Sequence, residues 1–304
     1  MKKLVLTFAL LLFATTAFSL PSLFDRQLFK VYDIKNIDTD LTWENIDIQE
    51  CDEIDNILVE IYCNNKKWAP QIKSSGSTVI VKSKKKSYSA FEPKKCTVIF
   101  KIPASAEFDL ISLSTTSGDI FAQALICDSL HASSTSGSIF VKTFDGQTCS
   151  FNSTSGSQKL TNAKVNKTVN KATSGSITVE GQVLQAFDIG TTSGTIGMEL
   201  DDAPLSKSRV SSTSGTIFLG LPGNANFSLS VSTTSGSFTN AITREKHGSH
   251  VDYSGDINNG GAQITLSSTS GNISIDSNNG VTGKKAVKNS DTDIPVVSFD
   301  EPIF

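Results

Sequence analysis

Charge is scarce in this chain, and neither sign dominates. Of its 304 residues, 27 are Lys or Arg and 30 are Asp or Glu, which gives a net charge of -3. A nucleic-acid-binding protein needs a basic surface to contact the phosphate backbone, so the composition argues against that class. Because 38% of the residues are hydrophobic, the chain is nevertheless too apolar to be disordered throughout.

Cysteine is rare and irregularly placed. The cysteines are Cys51, Cys63, Cys96, Cys127 and Cys149. No two of them form a Cys-x-x-Cys pair, which argues against a zinc site or a dithiol redox motif. Their number is odd and the sequence leaves their pairing open. We expect most of them to be small apolar core residues.

Candidate catalytic and metal-binding residues are also few. Two of the three histidines lie in His247-Gly248-Ser249-His250, near Glu245 and Asp252. This spacing could place two imidazoles on one ion, but a solvated loop explains it better. The many Ser-Gly pairs form no Gly-x-Ser-x-Gly elbow, and too few are followed by the Asp that a calcium-binding roll needs. We therefore predict no catalytic, cofactor-binding or metal-binding residues, no cofactor and no enzyme activity.

The N-terminus has the features of an export signal. Met1-Lys2-Lys3 precedes an apolar run that extends from Leu4 to about Phe18, and small residues surround Ser19. This pattern predicts a signal peptide over 1–19 that is cleaved near Ser19. An uncleaved anchor is the alternative, because the run is only just too short to span a bilayer. No later stretch reaches that length. We expect a location in the periplasm, on the cell surface or outside the cell, with no transmembrane span after cleavage.

The abundant feature is a repeat of about 20 residues that is marked by Ser-Gly, mostly as Thr-Ser-Gly. Its glycines are Gly118, Gly137, Gly156, Gly175, Gly194, Gly215, Gly236, Gly255 and Gly271, with Tyr253-Ser254-Gly255 as a degenerate copy. Successive glycines from Gly118 to Gly194 are 19 residues apart. So regular a period leaves no room for independent domains between the copies.

Within each repeat, apolar residues alternate with polar ones, which is typical of strands with one buried face. The residue two places after the glycine is usually Ile, with Gln158 as an exception. The pattern predicts an all-β fold, a parallel β-solenoid of ~20-residue coils in which each Ile lies over that of the previous coil. We expect each glycine to adopt a positive φ at a corner. Simple alternation places the repeated Thr on the inner side as a structural ladder, unless the corner breaks that alternation. The alternative is a flat, outward Thr array of the kind that binds ice.

The flanks lack the repeat. We assign 28–103 to a β-rich lead-in or cap, 104–275 to the solenoid repeats and 276–304 to a disordered tail. Nine lysines cluster in the lead-in, at positions 66, 67, 73, 82, 84, 85, 86, 94 and 95. They could hold anionic glycans or lipid headgroups, but cross-strand pairing and protection of a sheet edge explain them more simply.

The repeats resemble a bacterial family of putative adhesins with β-strand repeats, a domain-of-unknown-function family. The resemblance covers about Asn36 to Ile275. It rests on the serial Ser-Gly coils, on the strand Thr97–Pro103 that precedes them and on Asn259-Gly260-Gly261-Ala262 before the last coil. The family has no established catalytic residues, so the resemblance implies none here.

Three functions follow as hypotheses. The first is a non-enzymatic, exported cell-envelope or surface protein that acts as an adhesin-like binding scaffold for an envelope protein or a glycan. The second is an envelope stress or assembly factor that acts by protein contact. The third is a β-helix carbohydrate-active enzyme, which the sequence disfavours because it offers few aligned Asp or Glu residues.

Overall fold

The structure is a computed structural model that describes residues 21–84 and 95–278. The predicted signal peptide (1–19) lies outside the described residues, as does most of the predicted tail, at 279–304. In the described part, the chain forms strands and one 3₁₀ turn, Val31–Asp33. The strands are β1 (Ser22–Lys30), β2 (Asn36–Asp40), β3 (Asn45–Glu50), β4 (Asn56–Cys63), β5 (Gln71–Ser75), β6 (Thr78–Lys82), β7 (Cys96–Ile102), β8 (Phe108–Thr115), β9 (Ile120–Ala122), β10 (Leu125–Ser134), β11 (Ile139–Val141), β12 (Phe144–Ser153), β13 (Gln158–Ala172), β14 (Ile177–Thr191), β15 (Ile196–Leu200), β16 (Ser208–Ser212), β17 (Ile217–Leu221), β18 (Phe227–Thr233), β19 (Phe238–Asn240), β20 (Glu245–His247), β21 (Val251–Ile257), β22 (Gln263–Ser268) and β23 (Ile273–Ser277).

The strands stack into two long faces that β13 and β14 join, since each of these strands contributes to both. Sheet A has the order β1-β4-β7-β3-β9-β11-β13-β14-β15-β17-β23-β19-β20. Sheet B has the order β5-β6-β2-β8-β10-β12-β13-β14-β16-β22-β18-β21. The all-β prediction is confirmed and the architecture is solenoid-like. Pairing is parallel along the middle of both faces and antiparallel at their ends, so the sheet is mixed.

The core lies between the two faces and follows from the alternation in the sequence. Ile177 and Ile196 are paired neighbours in β14 and β15, and neither side chain is exposed to solvent. Gln158 occupies the same row and is also buried. Each parallel strand thus adds one apolar layer to a continuous core, at the strand spacing of about 4.8 Å.

Stacking order departs from chain order at both ends of the molecule. The last coil (β22 and β23) inserts between β16–β17 and β18–β19. Similarly, the first coil (β2 and β3) lies between β6–β7 and β8–β9. The prediction that each coil stacks on the coil that precedes it in the chain is therefore wrong at both ends of the molecule. The prediction that Tyr253-Ser254-Gly255 is a degenerate copy of the repeat corner is also wrong, because Gly255 lies within the antiparallel strand β21.

The corner glycines are needed for a reason other than backbone conformation. Among the described glycines, positive φ occurs at Gly76 and Gly260 and at no corner Gly of a repeat. A Cβ on Gly137 would instead lie 1.8 Å from the carbonyl oxygen of Gly118 in the coil beneath. The expectation of positive φ is wrong, because close approach of stacked backbones leaves no room for any side chain.

Candidate functional site

The repeated Thr side chains line an exposed ridge, not the interior. Thr116, Thr135, Thr154 and Thr173 are exposed, and the hydroxyl residue that precedes each turn is the buried one in most coils. Ser134 shows its role, because its Oγ accepts a hydrogen bond from the Gly137 N–H at 2.9 Å. Simple alternation would turn the Thr row inward, but the corner shifts the alternation by one residue, so the Thr row faces outward.

Along this ridge runs a polar groove with a volume of about 410 Å³ that crosses four coils and includes the ridge threonines in its lining. It is lined by Ser114, Thr115, Thr116, Ser133, Ser134, Thr135, Asn152, Ser153, Thr154, Lys171, Ala172 and Thr173. The lining repeats every 19 residues because each row consists of paired positions in neighbouring strands, such as Ser114, Ser133 and Asn152. Thr is present in all four coils only in the row of Thr116, Thr135, Thr154 and Thr173, whereas the Ser114 row changes to Asn152 and Lys171. The groove therefore presents one exposed Thr hydroxyl per coil along one line.

Lys171 forms the far end of the groove. Its Nζ lies 2.6 Å from Asp188 Oδ1, and its side chain crosses Gly190, where an added Cβ would lie 3.2 Å from Lys171 Nζ. At the next position in this row, Gly190 provides no side chain to extend the lining. The Lys171–Asp188 ion pair therefore lies at the end of the groove.

Beneath the groove, a polar cluster interrupts the core. The Gln158 Nε2 donates to Ser153 Oγ at 2.9 Å and to the Lys171 carbonyl oxygen at 2.6 Å. Next to it, Thr168 Oγ1 donates to Asn170 Oδ1 at 2.8 Å. Gln158 was visible in the sequence as an exception to the Ile pattern, but its partners could not be read from it. The cluster links two consecutive coils below the groove.

The two histidines of the segment His247–His250 lie in different surroundings. His247 stacks on Phe238 with ring centroids 5.7 Å apart and also contacts Tyr253, so it covers the end of the core. His250 has a φ of 60° in the connection that follows. Within 21–84 and 95–278, no group of three or more His, Cys, Asp or Glu residues is placed to bind a metal ion.

The lysine cluster lies at the N-terminal end of the stack. Lys66 and Lys67 are exposed between β4 and β5, and Lys73 lies on β5 at the edge of sheet B. Lys82 Nζ is 3.8 Å from Asp38 Oδ2. The lysines at 85, 86 and 94 lie outside the described residues. The described members thus lie in the β4–β5 connection, on and after the neighbouring strands β5 and β6, and directly before β7.

One buried charge was not found by sequence reasoning. The Glu60 side chain has no exposed surface, and it accepts hydrogen bonds from Arg26 and from Tyr62 while forming an ion pair with Lys101 at 3.1 Å. Burial by itself raises the pKa of Glu60, but the bonds to Lys101 and Arg26 outweigh it and lower the pKa. In the sequence Glu60 occupies an ordinary outward position of β4, so nothing marked it.

The cysteines divide into three environments. Cys63 and Cys96 form a disulfide that joins β4 to β7. Cys127 and Cys149 are buried in the core, as expected for most of the cysteines. Burial raises the pKa of Cys127 to about 12 and that of Cys149 well above its usual value. Cys51 is partly exposed, and burial also raises its pKa. None of the three free thiols is activated.

Several solved bacterial structures share this fold. A putative adhesin from Bacteroides fragilis is 15% identical, with a TM-score of 0.51 over 84% of this chain and 97% of that one. A putative lipid binding protein from Parabacteroides distasonis is 14% identical, with a TM-score of 0.50 over 83% and 96% of the two chains. A putative adhesin from the same organism gives the same values. At these identities the likeness shows the fold alone.

No functionally curated protein matches the chain. Among the described residues, no helix is long and apolar enough to cross a membrane. The model of one protein family matches residues 34–276, nearly the whole described region. This chain therefore belongs to the Toastrack DUF4097 family.

Proposed function

We propose that this protein is a non-enzymatic, exported binding scaffold of the cell envelope or cell surface, adhesin-like in its mode of action. Its parallel stack of ~20-residue coils holds an array of polar side chains rigidly along one line. Its partner is an envelope protein or a glycan, and not a nucleic acid.

The observation that carries this proposal is the groove across four coils. One row of its lining is Thr in every coil, so an extended partner can make the same hydroxyl contact several times. Summed weak contacts of this kind give useful affinity without any single deep pocket. Adhesive and lipid-binding roles are ascribed to proteins of the same fold.

Export is supported by two features. The apolar run at 4–18 has the length and flanks of a signal peptide. The Cys63–Cys96 disulfide is of a kind that persists in oxidising compartments. Together they favour the periplasm, the cell surface or the exterior.

The absence of enzyme activity is supported by the chemistry of the groove. Its lining contains Ser, Thr, Asn, Ala and Lys, with no histidine or carboxylate. Serine becomes a nucleophile only when a general base is within hydrogen-bonding reach, and the one lysine is paired with Asp188. A binding role needs no such activation, because neutral hydroxyl groups can donate and accept hydrogen bonds.

The test is saturable binding of fluorescently labelled protein to isolated cell envelopes. The Thr135→Trp variant fills the groove and should abolish binding. The matched control is Thr195→Trp, since Thr195 is also exposed but lies on the other side of a corner. Equal binding by both variants, or no saturable binding by the parent protein, contradicts the proposal.

A further inference from the structure

One corner of the coil stack lacks a hydrogen bond that most other corners have. In six coils, the N–H of the corner glycine donates to the side-chain oxygen of the residue three places before it, at 2.7–3.2 Å. The acceptor residues are Thr115, Ser134, Thr191, Ser212, Thr233 and Ser268. In the coil of Gly175 this position is Ala172, which has no hydroxyl group. Within 21–84 and 95–278, the Gly175 N–H consequently has no hydrogen-bond acceptor.

Ala172 lies in the wall of the polar groove. It continues the row of Thr115, Ser134 and Ser153, because these positions are paired in β8, β10, β12 and β13. All four residues line the groove. The three hydroxyl residues are buried, whereas Ala172 is partly exposed. Since side-chain oxygens cover the glycine N–H groups in most other coils, the absence of one at Ala172 opens the Gly175 N–H towards the groove.

Neither neighbouring coil supplies the missing acceptor. Ser153 in the coil beneath is paired with Ala172, but its Oγ accepts a hydrogen bond from Gln158 Nε2 at 2.9 Å and donates to the Gly156 carbonyl oxygen at 2.7 Å. Its hydroxyl group is therefore committed within its own coil. In the coil above, Thr191 Oγ1 accepts from its own corner glycine at 3.1 Å. The gap is thus open to a group from outside the protein.

The intact corners show which chemical group fits the gap. Ser134 Oγ accepts from the Gly137 N–H at 2.9 Å and donates to the Gly118 carbonyl oxygen of the coil beneath at 3.2 Å. Two further coils repeat both bonds. A hydroxyl group can do this because it is both a donor and an acceptor, whereas a carbonyl or carboxylate oxygen only accepts. The gap therefore matches an O–H group that accepts from the Gly175 N–H and donates to the Gly156 carbonyl oxygen, which has two lone pairs.

The rest of the groove favours a glycan over a polypeptide as the source of this group. Lys171, the charged residue of its lining, is paired with Asp188, so the lining suits a neutral ligand. The strands β8, β10, β12 and β13 are paired on both sides in sheet B, which leaves an extended peptide no free strand edge to pair with. A glycan needs no such edge, because hydroxyl groups occur along its whole length. They can also reach the Thr row, which offers one exposed hydroxyl group per coil.

We propose that the gap at Ala172 is a subsite of the groove and receives one hydroxyl group of a neutral glycan. This inference rests on the proposed function and selects a glycan, instead of an envelope protein, as the partner of the groove. The hydroxyl group of the ligand accepts from the Gly175 N–H, as the side-chain oxygens of the chain do in six other coils. The rest of the glycan lies along the Thr row.

The experiment is the Ala172→Ser variant, measured as saturable binding of the full labelled protein to isolated cell envelopes. The variant restores the hydroxyl group that six other corners have, so it should raise the midpoint temperature of thermal unfolding. It should also weaken envelope binding by about fivefold or more, because the chain's own hydroxyl group then occupies the subsite. Damage to the fold would instead lower both stability and binding. Ala241→Ser is the matched control, since Ala241 is exposed at the C-terminal end of the stack and the change should alter neither property.

Treatment of the envelopes tests the chemical class of the partner. Periodate cleaves vicinal diols, so oxidised envelopes should no longer bind the parent protein, whereas protease-digested envelopes should bind it as before. The inference is overturned if Ala172→Ser binds as the parent does, which would mean that water alone fills the gap, if protease digestion abolishes binding, or if periodate has no effect. A loss of binding in Thr135→Trp but not in Ala172→Ser overturns the subsite and leaves the proposed function standing. Absence of saturable binding by the parent contradicts both.

Discussion

Ile217 pairs with Ile273, which belongs to the last repeat of the chain, and not with Phe238, which belongs to the next one. Phe238 lies on the far side of Ile273. The last coil is therefore enclosed between two earlier ones. The antiparallel strands β20 and β21 then cover the outside of this end, so the final parallel strands are not left as open edges.

This arrangement predicts how the C-terminal end responds to a cavity. Ile273→Ala should lower the free energy of unfolding by about 2–5 kcal/mol, as for other buried Ile residues. Hydrogen exchange should rise in both β17 and β19, because both contact the altered layer. Faster exchange in β19 together with unchanged protection in β17 would contradict the observed stacking order.

A corner glycine, Gly137, and a glycine within β15, Gly197, allow a comparison between two Gly→Ala substitutions. Gly137→Ala places a Cβ 1.8 Å from a backbone oxygen of the coil beneath, whereas a Cβ on Gly197 has no atom within 4 Å. Gly137→Ala should cost about 3 kcal/mol or more because stacked backbones must separate. Gly197→Ala should change stability by less than about 1 kcal/mol. Denaturant unfolding of the two variants measures both values, and similar losses would disprove the close-approach explanation.

The buried carboxylate of Glu60 predicts a pH dependence. Its pKa is lower in the folded protein than the usual 4.5, so the ionised form stabilises the fold. This contribution is complete above the unfolded-state pKa and is lost as pH falls through the folded-state pKa. The stability difference between the parent and Glu60→Gln should be constant near neutral pH and should shrink below about pH 4.5. If the stability difference between the two proteins grows on acidification, the fold raises the pKa of Glu60 and the predicted direction is wrong.

The thiols should differ in reactivity. Only Cys51 is partly exposed, so an alkylating reagent at about pH 8 should label it slowly, given its raised pKa. Cys127 and Cys149 should react only after unfolding, and Cys63 and Cys96 only after reduction. Mass spectrometry of peptides from the labelled protein gives the order in which the cysteines are alkylated. Rapid native labelling of Cys149 would show that the core opens far more readily than its burial implies.

The repeat made much of this fold predictable from the sequence. A 19-residue spacing of Ser-Gly with alternating Ile residues specifies strands, their buried face and the stacking of Ile177 on Ile196, because identical units bury their apolar face only against one another. The lack of catalytic motifs and the apolar run at the N-terminus were equally local features. Each of these conclusions depended on short motifs and on their spacing along the chain.

Contacts between distant residues were decided only by the tertiary structure. No local pattern places Ile273 between Ile217 and Phe238, because the three strands have similar apolar faces and only the loops and caps select their order. The outward rotation of the Thr row likewise depends on the corner geometry. The groove arises from positions 19 residues apart that meet only when the coils stack at about 4.8 Å.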